Sequence, residues 1–298
     1  YMLIRHPRIL FRLFASLSVL AVVTTAALSW GFWAHKEISR QAIESLPSPL
    51  RDFFSANAEY IVEHSIDPDQ RRFKDKDESY FHYLDVDRYG KYPFSELPHD
   101  YPAAVKKFGA DSVRKNGLVP WRIAEITDRL SGAMRDGNKR DILYYASDLG
   151  HYVADAHVPL HATENYDGQF SGQVGVHSRF ESRIPEVYGK DYHFSHGNAM
   201  YIENALEKAF QIILTSYTLV DTVLKADAKA KMGFKQHEAY TVVNRGGKTE
   251  YVYSEAYYKS FNEKLKGLVE KRMQDAVSAL ADFWFSAWVK AGKPELPR

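Results

Sequence analysis

From Phe261 to Trp288 apolar side chains recur every three or four residues. Phe261, Leu265, Leu268/Val269, Met273, Val277, Leu280, Trp284 and Trp288 fall on one stripe of a helix. A stripe this wide must be buried against other elements, so it commits the chain to layered helix packing. Ile202, Leu206, Phe210, Ile213, Tyr217, Val220 and Leu224 make a second stripe. The aromatic members of both are core residues by this spacing. The same periodicity predicts helices over 36–46, 49–64, 102–116, 119–135, 139–157, 196–225 and 255–291. The single β-like segment is 240–253, where Thr241-Val242-Val243 and Tyr251-Val252-Tyr253 flank Gly246-Gly247 as in a hairpin. With 298 residues, 45% of them hydrophobic, the chain can bury a large core. The expected class is all-α, a single compact multi-helix domain. Residues 65–100 and 158–190 are long, polar and rich in Pro, Gly and Asp, which marks them as functional loops.

Cysteine is absent. That excludes a disulfide scaffold, a thiol nucleophile and thiolate metal sites, so any metal is held by His, carboxylate or backbone groups. The first 29 residues read as a cleaved signal peptide rather than as part of the fold. Arg5, Arg8 and Arg12 precede an uncharged run over 13–28, which closes Ala27-Leu28-Ser29. The expected division is 1–29 as signal and 30–298 as the functional domain, exported to the periplasm or secreted, starting at Trp30. Without those residues the chain carries 36 basic and 38 acidic residues, net −2.

The chemistry lies in the spacing of His and carboxylates. In Asp148-Leu149-Gly150-His151-Tyr152-Val153-Ala154-Asp155, His151 and Asp155 stand four apart and share a helix face, opposite Ile142, Tyr145, Ala146, Leu149 and Val153. Pro159 ends that helix and lets His161 turn back toward the same mouth. His177 and Glu181 repeat the four-residue spacing; Asp67 with His82, and Trp30 with His35, form two further clusters. Several clusters of N/O donors without sulfur fit a multinuclear hydrolytic zinc site. His64, His99, His193, His196 and His237 match no cluster and read as surface or loop residues. His157 is either an outer-shell orienter or a plain helix-end histidine.

On these motifs the sequence resembles the superfamily that joins bacterial zinc-dependent phospholipases C to single-strand-specific zinc nucleases. The motifs run from Trp30 to about Ile184. The resemblance implies an all-helical enzyme with three zinc ions in a cleft. It implies that Asp67, His82, His151 and Asp155 hold one zinc and that His161, His177 and Glu181 hold the second. Trp30, through its amine and carbonyl, and His35 would hold the third, with Asp155 bridging it to the first. Two such ions can share a hydroxide and polarise a phosphoryl oxygen. Asp67 is the candidate general base, and Asp155 the bridging carboxylate on which catalysis depends.

The substrate is a phosphodiester, either a phospholipid, with membrane-surface contact, or single-stranded nucleic acid. No obligate protein partner is implied. Trp30-x4-His35 and the step from Asp67 to His82 are nuclease-like, whereas the His177–Glu181 segment and the gap before it are nearer the phospholipases. In the nucleases an Arg three residues after the first Asp assists at the phosphate; counted from Asp67 that position is Gln70, followed by Arg71 and Arg72. Tyr80, Phe81, Tyr83 and Arg71 are the candidate substrate contacts. The absence of basic excess favours the phospholipase C type over a nuclease, and the intact ligand set favours both over a non-enzymatic zinc-binding protein.

Overall fold

A computed structural model of the chain describes residues 31–235, 238–245 and 248–297. The expected signal segment, Trp30, His237 and Gly246-Gly247 lie outside them. The first half consists of α1 (Phe32–Glu44), α2 (Leu50–Ala56), α3 (Ala58–Glu63), α4 (Asp67–Arg71), α5 (Tyr101–Phe108), α6 (Ala110–Lys115), α7 (Val119–Arg135) and α8 (Lys139–Ala156). After the loops come α9 (Val176–Ser178), α10 (Ile184–Tyr188), α11 (Ala205–Thr218), α12 (Val220–Met232), α13 (Glu255–Leu265) and α14 (Leu268–Lys290). An antiparallel hairpin, β1 (Tyr240–Arg245) and β2 (Lys248–Tyr253), pairs Tyr240 with Tyr253 and Arg245 with Lys248. The protein is therefore all-α apart from the expected hairpin.

Four expected helices are broken. The 49–64 stretch divides at Asn57, and 102–116 at Gly109, where φ is positive. The 255–291 stretch divides at Lys266 and Gly267, both in the left-handed region, because Leu265 and Leu268 must both reach the core. Residues 196–204 of the expected 196–225 helix are not helical. Met200 N–H and Ile202 N–H donate instead to Asp282 Oδ1 and Ser286 Oγ on α14. Asn204 then caps α11 by accepting from the N–H groups of Leu206 and Glu207.

The core is made by α14 against α1, α7 and α8. Trp284 is fully buried beside Phe54, and its Nε1–H donates to Ala146 O at 3.1 Å. Trp284→Ala should cost roughly 3–5 kcal/mol, by the lost transfer energy and the cavity left behind. Urea denaturation should show this as a lower midpoint with unchanged slope.

Helices α1 and α8 approach closely at Gly150, where a Cβ would lie 2.9 Å from Ser39 Oγ. That contact decides the geometry of the site. It lays the His35 ring of α1 flat on the His151 ring of α8, with centroids 4.0 Å apart and planes 11° apart.

Candidate metal centre

Buried side chains from five regions converge where α1, α4 and α8 meet the two long loops. His151 and Asp155 project from α8 as their spacing predicts, with Nε2 3.2 Å from Asp155 Oδ2. His151 Nδ1–H donates to Ser65 O at 2.8 Å, which leaves Nε2 as the basic nitrogen. His161 follows the same logic. Its Nδ1–H donates to His82 O at 2.6 Å, and its Nε2 lies 3.3 Å from Glu181 Oε2. Pro159 and Leu160 carry it back under α8 in a 3₁₀ turn, as the proline suggested.

Three groups of donor atoms lie within 4.8 Å of one another: His82, His151 and Asp155; His161, His177 and Glu181; and His35, Asp69 and His151. All of these residues are buried. His82 Nδ1 is 2.9 Å from Asp155 Oδ2, and His35 Nε2 is 3.5 Å from Asp155 Oδ1. The two oxygens of Asp155 thus face different imidazoles, the arrangement a bridging carboxylate needs.

One expected member is not there. Asp67 lies outside the cluster, 37% exposed, accepting from His64 Nδ1 at 2.7 Å. Its place among the imidazoles is taken by Asp69, fully buried, with Oδ1 3.8 Å from both His151 Nε2 and His82 Nδ1. Residues two apart on α4 point to opposite sides of the helix, about 200° apart. The side that meets α8 is the one carrying Asp69.

The same shift of frame corrects the substrate contacts. Arg71 does not line the cavity beside the donors. It is tied behind the site to Asp148 Oδ2 at 2.7 Å, to Glu78 Oε2 at 3.2 Å and to Tyr152 Oη at 3.2 Å. Phe81 packs on the core under Arg122, and the Tyr80 ring lies under Arg114. Only Tyr83 of the four lines the cavity over the metal cluster. That cavity, of about 450 Å³, is walled by Arg72, Phe73, Ser79, His82, Tyr83, Asp85, Leu160, His161, Tyr166 and His177. Counted from Asp69, the third residue on is Arg72, whose Nη2 lies 3.1 Å from Asp69 Oδ1. The three-residue step to an Arg is present from Asp69, although the sequence repeats it at Asp85–Arg88 and Asp111–Arg114, so packing and not spacing selects Asp69.

The remaining histidines fit their plain readings. His64 is on the surface, and His99 Nδ1 pairs with Glu207. His157 ends α8 with Nδ1–H donating to Val153 O at 2.7 Å, while its own carbonyl accepts from Arg272 Nε.

The electrostatics fit a cation. Burial holds the imidazoles of His35, His82, His151 and His161 below their ordinary range, and that of His177 down to about 4. Burial also lifts the carboxyls of Asp69 and Glu181 to about 7, and that of Asp155 well above the carboxylate range. The oxygens of Asp69 and the nitrogens of His177 make no well-aligned hydrogen bond, although Arg72 Nη2 lies 3.1 Å from Asp69 Oδ1 and Glu181 Oε2 lies 2.9 Å from His177 Nε2. Neutral imidazoles around costly buried carboxylates are what a divalent ion with N/O preference satisfies.

The model of the family described as zinc dependent phospholipase C matches residues 34–219, more than half of the chain. The chain belongs to the zinc-dependent phospholipase C family. Its fold is similar to that of Clostridium perfringens alpha-toxin from avian strain SWCP, with a TM-score of 0.52 and 16% identity over 88% of this chain and 65% of the toxin. Clostridium absonum alpha toxin is matched at a TM-score of 0.50 and 13% identity, over 85% and 63% respectively. The chain therefore spans just under two thirds of either toxin. No curated protein matches it. As a member of this family it has a donor set that fits zinc, and among the described residues the donors, His35 through Glu181, all fall inside the matched stretch.

Proposed function

We propose that the protein is an exported phosphodiester hydrolase of phospholipase C type that binds three zinc ions. The observation carrying this reading is the convergence of three buried donor groups, two of which bring His82, His161 and His177 to the wall of one cavity, within the stretch that matches the family. In it, Asp69, His82, His151 and Asp155 hold one ion, His161, His177 and Glu181 a second, and Trp30, His35 and Asp155 a third. Zinc bound there supplies Lewis acidity toward phosphoryl oxygen and a nucleophile at neutral pH.

The chain's own groups do the positioning. Arg72 reaches into the cavity beside the donors and presents its guanidinium to a non-bridging phosphate oxygen. Asp69, replacing Asp67 as the candidate base, stands where a carboxylate oxygen can take a proton from the attacking water. Tyr83, Leu160 and Tyr166 give the cavity apolar walls. The lining sets one guanidinium, Arg72, beside one acid, Asp85, whose carboxyl burial lifts to about 7, a balance that suits a zwitterionic lipid headgroup better than a polyanionic strand. Zinc-loaded protein should release a phosphorylated headgroup and diacylglycerol from phospholipid vesicles. Parallel assays on single-stranded DNA and RNA decide the matter: nucleotide release with no headgroup release from any phospholipid would reverse the assignment.

Metal binding should be proton-coupled, because protons compete for the imidazoles and for carboxyls that burial lifts to about 7. One displaced proton weakens zinc binding about tenfold for each pH unit below 7. Calorimetric titrations in two buffers of different ionisation enthalpy should show proton release on zinc addition; equal heats would refute it.

Export and metal binding are joined at the chain start. Gly31 N–H donates to Glu181 O at 3.1 Å, and a Cβ on Gly31 would lie 3.0 Å from Ser182, so the glycine is needed for this approach. Whatever precedes Gly31 is bonded to a residue held against the His177–Glu181 turn. Cleavage after Ser29 would give Trp30 an α-amine of pKa ~8, able to ligate zinc as an amide cannot. A protein beginning with one extra Ala before Trp30 should bind one zinc fewer and lose most activity, by elemental analysis and assay. Unchanged zinc content in that variant would defeat the role of the amine.

A further inference from the structure

We propose that Arg179 and Asp227 form a clamp by which the C-terminal helices set the geometry of the His161–His177–Glu181 group. The proposal rests on the metal reading of that group and is independent of which phosphodiester is cleaved.

His177 and Glu181 lie on α9 and on the π-helical turn Arg179–Arg183 that follows it. These segments run on without a break into α10, but a π-helical stretch departs from regular α-helical hydrogen bonding, so the packing around it must fix the directions of the two donors. Arg179 sits midway between them in sequence and is buried, pointing elsewhere: none of its contacts is to a donor residue in the cluster. Its guanidinium uses every face. Nη1 donates to Val174 O at 2.9 Å and Nη2 to Gln173 O at 3.1 Å, which ties down the loop entering α9. Nε donates to Tyr257 Oη at 3.0 Å, and Nη2 also pairs with Asp227 Oδ1 at 3.0 Å. The Tyr253 ring of β2 lies 4.5 Å from its central carbon.

Asp227 is the other jaw. It is fully buried on α12 and accepts from Gln173 Nε2 at 2.7 Å, from Lys231 Nζ at 2.7 Å, and from Tyr257 Oη. Burial alone would raise its carboxyl; Arg179 and these donors bring it below the ordinary range instead. Gln173 and Arg179 thus fasten both ends of the α9 entry to one carboxylate. Asp227, Lys231, Tyr253 and Tyr257 all follow residue 219, where the family match ends. The clamp therefore joins an element inside the family match to C-terminal elements outside it. A planar fork serving four acceptors at once has no lysine equivalent.

The test follows zinc leaving the full-length, zinc-loaded protein in the presence of a chromogenic chelator. His177→Ala identifies the release phase that belongs to this group, since that phase is lost or becomes immediate. Arg179→Lys and Asp227→Asn should speed that phase 10- to 100-fold, the range for outer-shell partners of metal ligands, and leave the other phases within twofold. Tyr257→Phe removes one hydrogen bond to the guanidinium and should speed the same phase a few-fold, which keeps the test open if the stronger variants do not fold. Lys225→Ala, which removes an exposed pair with Asp221 on the same helix and touches no clamp residue, should leave every phase within twofold. Equal acceleration of all phases, or an unchanged His177 phase in folded Arg179→Lys or Tyr257→Phe, would overturn the clamp. Phospholipid hydrolysis is not part of the readout, so failure of the substrate assignment leaves this result untouched.

Discussion

Asp155→Asn should release more than one zinc ion and lower phosphodiester hydrolysis by at least about 10²–10³-fold, the loss seen when one electrostatic stabiliser of a transition state is removed. The reason is the placement of its two oxygens. Oδ2 lies 2.9 Å from His82 Nδ1 and 3.2 Å from His151 Nε2, while Oδ1 lies 3.5 Å from His35 Nε2. An amide of the same shape keeps one oxygen but loses the charge that two cations would share. The backbone should tolerate the change, because Asp155 is near the end of a long helix packed on both sides and its burial already penalises the charge. Elemental analysis of dialysed protein should show the metal deficit alongside an unchanged far-UV spectrum. Retention of full zinc content would remove Asp155 from the bridging role.

The second large effect is a contrast between neighbours. Asp69→Asn should cut activity by about 10²-fold or more and weaken zinc binding, whereas Asp67→Asn should leave both within about twofold. Asp69 is fully buried between His82, His151 and Arg72; Asp67 is a partly exposed acid whose partner is the surface His64. Arg72→Ala should follow Asp69 in lowering turnover, with zinc content preserved, if the guanidinium serves the phosphate and not the metal. Measuring zinc and turnover on all three variants separates these roles. Equal losses in Asp67→Asn and Asp69→Asn would contradict the geometry of α4.

Periodicity alone determined the fold class, because a helix that buries one face must repeat its apolar residues at 3.6 and this chain does so along most of its length. The hairpin was equally legible, since two β-branched and aromatic runs around Gly246-Gly247 have few other uses. Within one helix the donor spacing was also enough: His151 with Asp155, and His177 with Glu181, are neighbours by the geometry of a single turn. The choice between Asp67 and Asp69 was of another kind. Both stand on the one short helix α4, on opposite sides, and local sequence does not say which side meets α8. Arg71 and Arg72, about 100° apart on the same turn, were interchangeable for the same reason. Only the packing of α1 across Gly150, and of α4 and the 64–66 turn against α8, turned Asp69 inward and sent Arg71 to Asp148 and Glu78. The partners of Arg179 were likewise hidden, because Asp227 and Tyr257 lie 48 and 78 residues away along the chain and meet it only when α12 and α13 fold back over the loop. Contacts within a turn follow from the chain's own repeat, whereas contacts between elements depend on which faces the whole core leaves for them.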